Sequence, residues 1–102
     1  MKAILKFNME EPEDKRLHAI MMQAESLYLA VWEILRNDLR TLTKYDSLQI
    51  FNASDMEYLT DTEGNPITQQ TPIDKISGDG MAEMIKSYLF RKFKEENVDL
   101  DL

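Results

Sequence analysis

Cysteine is absent from this chain, histidine and tryptophan occur once each, and glycine and proline number three apiece among 102 residues. Without cysteine there is no disulfide, no thiol catalysis and no thiolate set for structural zinc, and the composition suits a reducing compartment. The single histidine, His18, leaves no His-rich metal site, and no nucleophile motif surrounds it that would make it a catalytic base. Long apolar runs are missing too: nothing approaches the ~20 residues of a membrane span, and the start MKAILKFNMEEP has no secretory cleavage pattern. The expectation is a soluble, cytoplasmic protein that does not enter a membrane.

Basic charge is scarce. Twelve Lys and Arg stand against nineteen Asp and Glu, giving a formal net charge of -7. That balance opposes general nucleic-acid binding, which needs a basic surface to displace phosphate counterions. Catalytic signatures are scarce as well. There is no Walker loop, no GxGxxG after a strand and no HExxH, and DKISGDG at 74–80 lacks the alternating ligands and closing Glu of a calcium loop. No metal and no cofactor are expected, and the chain reads as non-enzymatic.

What is present suits one globular domain over 1–102: 43% hydrophobic and 30% charged residues. Residues 2–9 alternate, with Ala3, Leu5, Phe7 and Met9 on one face, which predicts a strand. Val98, Leu100 and Leu102 alternate with Asp99 and Asp101 and predict a second strand over 97–102, paired with the first so that Lys2 and Lys6 face the acids. EEPED at 10–14 has the proline and acids of a helix entrance. From there Leu17, Met21, Ala24, Tyr28, Val31, Leu35 and Leu42 recur at intervals of three and four, predicting a helix over 13–44. Residues 46–78 hold turn signals and read as a loop or a small hairpin centred on Glu63 to Pro66. Asp79 is the expected cap of a final helix over 80–96 with Met81, Met84, Ile85, Tyr88, Leu89 and Phe93 as its buried stripe. The expected class is α+β and helix-dominated, a long N-terminal helix packed on a C-terminal helix with short terminal strands.

A helix over 13–44 would be ~46 Å long at 1.5 Å per residue, whereas a compact chain of this size has a radius of gyration near ~13 Å. Either the helix breaks at Asn37 and Asp38, the latter a polar residue in an apolar heptad slot, or it projects and meets another chain. We read it as continuous, which makes the protein a homo-oligomer.

On this helix Trp32, Arg36, Arg40 and Lys44 recur every four residues, with Tyr28 and Tyr45 near the ends of the row. Guanidinium groups grip phosphate or carboxylate in a planar fork, and aromatic rings stack on bases, so the row predicts a site for a nucleotide-like anion. The competing explanation is ordinary: Glu33 and Asp38 neutralise the cations, Lys44 complements the helix dipole and Trp32 is core. A different class of function follows from the acids of the middle segment. Asp55, Glu57, Asp61 and Glu63 would let the protein dock on a basic surface of a partner protein. A third reading is a structural or assembly factor.

MKAILKFN at 1–8, EEPED at 10–14, Trp32, the LR pair at 39–40, the KY pair at 44–45 and ENVDLDL at 96–102 together resemble a group of short tailed-bacteriophage proteins. In that group the connection corresponding to 46–80 is shorter. The resemblance implies a phage origin and a site of action in the bacterial host cytoplasm, with no activity to carry over. By analogy, small phage proteins without catalytic motifs act by binding, either blocking a host defence protein or sequestering a nucleotide signal.

Overall fold

Helical structure runs from Pro12 to Tyr45 because no glycine or proline interrupts the sequence between them. The computed structural model describes residues 1–101. Helix α1 (Pro12–Met22) opens with Pro12 in its first turn and Glu13 and Asp14 at the positive end of the dipole. The Asp14 carboxylate reaches back to accept from the Asn8 amide at 2.8 Å. Helical geometry lapses for one residue at Gln23, whose φ is -103° and ψ 9°, and resumes as α2 (Ala24–Glu33). Next comes a π-helical segment, Ile34–Asp38, and then α3 (Leu39–Tyr45). The sequence therefore marks the right place at Asn37 and Asp38, but the backbone widens there instead of breaking. Asp46 ends the run in the left-handed region at φ 48°, a conformation that Asp tolerates better than most residues.

The heptad stripe changes direction at the π segment. A π turn takes up an extra residue, so side chains beyond it are rotated relative to those before it. Leu17, Tyr28 and Leu35 face outward, at 41%, 68% and 59% exposure. Asp38 and Leu42, in the next slots of the same repeat, turn inward, Leu42 into the core and Asp38 toward helix α4 (Gly78–Glu95).

That core belongs to the C-terminal two thirds of the chain. Ile34 and Leu42 pack with Leu48, Phe51, Met56, Ile67, Met84 and Tyr88. At its centre the rings of Phe51 and Tyr88 meet edge to face, 5.9 Å apart, a geometry that the ring quadrupoles favour. Helix α1 buries no residue. The molecule is accordingly elongated, 57 × 29 × 18 Å with a radius of gyration of 18.2 Å, well above the ~13 Å of a compact domain.

The expected terminal strands do not form, and the α+β reading is corrected to a helix-dominated fold. Among the described residues the only β pairing is a single antiparallel bridge, Thr60 to Pro66. Residues 2–6 are exposed and form no β pairing among the described residues, and Phe7 instead lies edge-on to His18, ring centres 5.4 Å apart. At the other end Val98 is buried by the stop of α4. Asn97 adopts φ 60°, its amide donates to the Lys94 carbonyl at 3.1 Å, and the Val98 amide donates to that of Phe93 at 2.8 Å. These two bonds satisfy carbonyls that a helix end leaves open, with the apolar residue after the turn folded back onto the helix. Leu102, the last residue of the expected strand, lies outside the described residues.

The cap of α4 is Ser77, whose Oγ accepts from the Gly80 amide at 3.0 Å; Asp79 falls in the first turn instead, and the helix begins earlier than its sequence suggests. The middle segment forms short 3-10 turns at Ala53–Asp55 and Ile73–Lys75. Between them a tight turn carries Gly64 at φ 82°, where a Cβ would be strained. It is closed by Asp61 N to Asn65 O at 2.8 Å and Ile67 N to Leu59 O at 3.2 Å.

Candidate functional site

The residues of the cationic row reach the surface because they lie on the side of the long helix away from the core. Trp32 is 47% exposed, Tyr28 and Tyr45 more so, and Arg36, Arg40 and Lys44 are all exposed. The π segment affects this row as well. Residues four apart overshoot one α turn, but they lie closer to one azimuth in the wider π turn. This brings Arg36 and Arg40 more nearly into line with Trp32.

Neither expected neutralising acid serves the row. Glu33 accepts from the side-chain Nδ2 of Asn37 at 2.9 Å. Asp38 accepts from the Tyr88 hydroxyl and lies 3.7 Å from Lys92 Nζ. Among the described residues Arg36, Arg40 and Lys44 form no ion pair. Lys44 instead sits over the ring of its neighbour Tyr45, 5.6 Å from the centroid, a contact worth little at so exposed a position. A surface with three free cations, an indole and two phenols in sequence can receive anionic groups by charge-assisted bonds and planar groups by stacking.

The acids of the middle segment are placed differently from their expected docking role. Asp55 is 3% exposed. Its carboxylate accepts from the Asn52 amide at 2.9 Å and from Arg91 at 2.9 Å, while Arg91 also reaches the Ile50 carbonyl at 3.0 Å and Glu95 at 3.1 Å. The bond to Asp55 is the chief reason that the guanidinium is held even more firmly protonated than usual. Asp55 is therefore an internal brace and not a docking residue. Asp61 is occupied by its own turn, accepting from the amides of Glu63 and Asn65, each at 2.9 Å. Glu63 pairs with Lys75 at 2.9 Å. Of the four, Glu57 alone is exposed with neither an ion pair nor a side-chain hydrogen bond among the described residues.

Two clusters joined across the fold escape sequence reasoning. The first is Asp38 with Tyr88 and Lys92; the second is Asp55 with Arg91, whose guanidinium also lies 5.4 Å from the Tyr88 ring centroid. Tyr88, Arg91 and Lys92 are spaced as one face of α4, and that spacing was the only available signal. The phenol of Tyr88 is pushed well above its ordinary range, first by burial and then by its bond to Asp38.

An open cleft of about 740 Å³ lies between the 52–60 and 66–70 segments, away from the row. At its margin Tyr58 is almost fully exposed, with φ at 64°. Among the described residues no three His, Cys, Asp or Glu side chains converge as metal ligands, and no helix is long and apolar enough to cross a membrane. No family model matches the chain, and neither a curated protein nor a solved structure is significantly similar to it.

Proposed function

We propose that this is a non-enzymatic binding protein that captures an anionic, nucleotide-like ligand on the helix face formed by Tyr28, Trp32, Arg36, Arg40, Lys44 and Tyr45. The observation that carries the reading is that all three cations are exposed and, among the described residues, unpaired, while both nearby acids are engaged elsewhere. A chain of net charge -7 has acids to spare for salt bridging, so leaving three cations free is a local departure from its composition. Arg36 and Arg40 would bind phosphate oxygens in forked pairs, Lys44 would add a point charge, and Trp32 or a tyrosine would stack on a base. The phage resemblance suggests the setting: counter-defence in a bacterial cytoplasm, with a host nucleotide signal as ligand. Docking of the middle acids on a host protein is the weaker alternative, because Asp55, Asp61 and Glu63 already have partners within the fold.

The test is a thermal-shift screen against cyclic dinucleotides and cyclic ADP-ribose isomers, run on the wild type and on Arg40→Ala. A ligand that binds only the folded state raises its melting temperature. The expected result is a shift of several degrees with one of these compounds, lost in Arg40→Ala, whose own melting temperature stays close to wild type. No shift with any of them would overturn the nucleotide reading.

A further inference from the structure

From Leu17 to Leu35 the helix buries only Ala30 and Ile34, both on the side facing the body of the protein, and carries no charge other than Glu25 and Glu33 apart from the titratable His18. Leu17, Met21, Ala24, Tyr28, Val31 and Leu35 follow heptad spacing without a break, and all six are exposed. Soluble monomers rarely leave so large a continuous apolar surface uncovered. The body cannot cover it, since Ala30 lies roughly 200° around the helix from Tyr28 at ~100° per residue.

We propose that a second copy of this chain covers the stripe, in an antiparallel helix pair centred between Ala24 and Tyr28. If Leu17, Ala24 and Val31 occupy one heptad position and Met21, Tyr28 and Leu35 the other, antiparallel packing layers each residue of one set on a residue of the other set in the second copy. Leu17 meets Leu35, Met21 meets Val31, and Ala24 meets Tyr28. The smallest side chain of the stripe thus faces the largest, twice, about the two-fold axis. A parallel pair would set Ala24 on Ala24 and Tyr28 on Tyr28, leaving a void in one layer and crowding the next.

Charge selects the same orientation. The acidic entry of the helix, Glu10, Glu11, Glu13 and Asp14, comes level with the unpaired Arg40 of the second copy, whereas a parallel pair would place the two free cationic rows side by side. Opposite charges in register favour the first arrangement, and like charges disfavour the second. Each body lies on the side of its own helix that Ala30 and Ile34 mark, away from the stripe. This inference rests on the apolar stripe and does not require the nucleotide reading, although the pair takes Tyr28 out of the proposed ligand face. It implies, however, that an anionic ligand and the entry acids of the second copy compete for Arg40.

The test is light scattering on the full chain over a range of concentrations. A mass of twice 12.0 kDa is expected for the wild type, and a single-chain mass is expected for Tyr28→Glu and for Leu35→Glu with helical circular dichroism preserved. A wild type that stays at 12.0 kDa at every concentration would overturn the pairing. Because the chain has no cysteine of its own, orientation is read by mixing Ala24→Cys with Tyr28→Cys under mild oxidation. A predominant cross-link between the two variants supports the antiparallel register. Predominant cross-links of each variant with itself would overturn it.

Discussion

The hydroxyl of Tyr88 donates to the carboxylate of Asp38, fifty positions earlier in the chain. This bond joins α4 to the π segment of the long helix, with Lys92 on the same carboxylate. Removing the hydroxyl in Tyr88→Phe leaves the ring in the core and the acid with one partner fewer. A loss of about 1.5 kcal/mol is expected in urea unfolding, the scale of a hydrogen bond to a charged group.

The same bond predicts alkaline sensitivity. An unfolded tyrosine ionises near 10.0, while burial and then Asp38 hold the Tyr88 phenol well above that value in the folded protein. Above pH 10.0 the unfolded state therefore binds fewer protons than the folded one, and stability falls as pH rises. The stabilisation from the neutral phenol is complete below that pH. Unfolding free energies measured from pH 8 to pH 11 should decline more steeply at the alkaline end for the wild type than for Tyr88→Phe.

Asp55 and Arg91 form the second link between α4 and the rest of the fold. The Asp55 side chain is 2% exposed and that of Arg91 21%, so removing the acid leaves a largely buried guanidinium short of its main counter-charge. Asp55→Ala should destabilise the protein by about 3 kcal/mol, as breaking one side of a buried pair does, with a matching fall in the denaturation midpoint. Ligand binding on the distant row of the long helix should be retained in whatever fraction remains folded.

Much of this architecture can be read in the sequence, but unevenly. The long helix follows from a run without glycine or proline and a stripe at intervals of three and four, and α4 follows from its own stripe, its N-terminal glycines and its basic end. The terminal strands misled because alternation over Val98 to Leu102 is too short to distinguish a strand from a helix stop; Asn97, a residue at ease in the left-handed region, was the better signal. Whether Trp32 is core or surface depends on which side of the helix the body occupies, and that is set by contacts between residues far apart in the chain. Asp38 looked like an interruption of the heptad stripe, and its partner fifty positions away has no mark in the local sequence.

Asn97 offers a direct test of that helix stop. At φ 60° a residue with an ordinary side chain pays the left-handed penalty, roughly 1 kcal/mol. Asn97→Ala should therefore lower stability by about that amount, while Asn97→Gly should leave it equal or slightly higher. Chemical denaturation of the two variants side by side gives the comparison.

Trp32 is the sole tryptophan, so its fluorescence reports on the cationic row alone. In a protein of net charge -7 a cationic quencher would ordinarily be favoured over an anionic one. Next to Arg36 and Arg40 the order should reverse, with iodide quenching Trp32 more effectively than caesium at equal ionic strength. Replacing both arginines with alanine should restore the order set by net charge.

The π segment sets which residues of the long helix face the body. No packed interface with α1 holds the N-terminal arm in place, since α1 buries nothing. Its bearing follows α2, which Ala30 and Ile34 bury against the body, with a lighter tie where Gln23 exchanges two hydrogen bonds with the backbone of Asp99, both at 3.0 Å. Without the extra residue that the π turn takes up, Asp38 and Leu42 would continue the exposed line of Leu17, Tyr28 and Leu35 and leave the core. Surface orientation in this protein is thus governed by a local count along the chain, as the setting of a dial is by its notches.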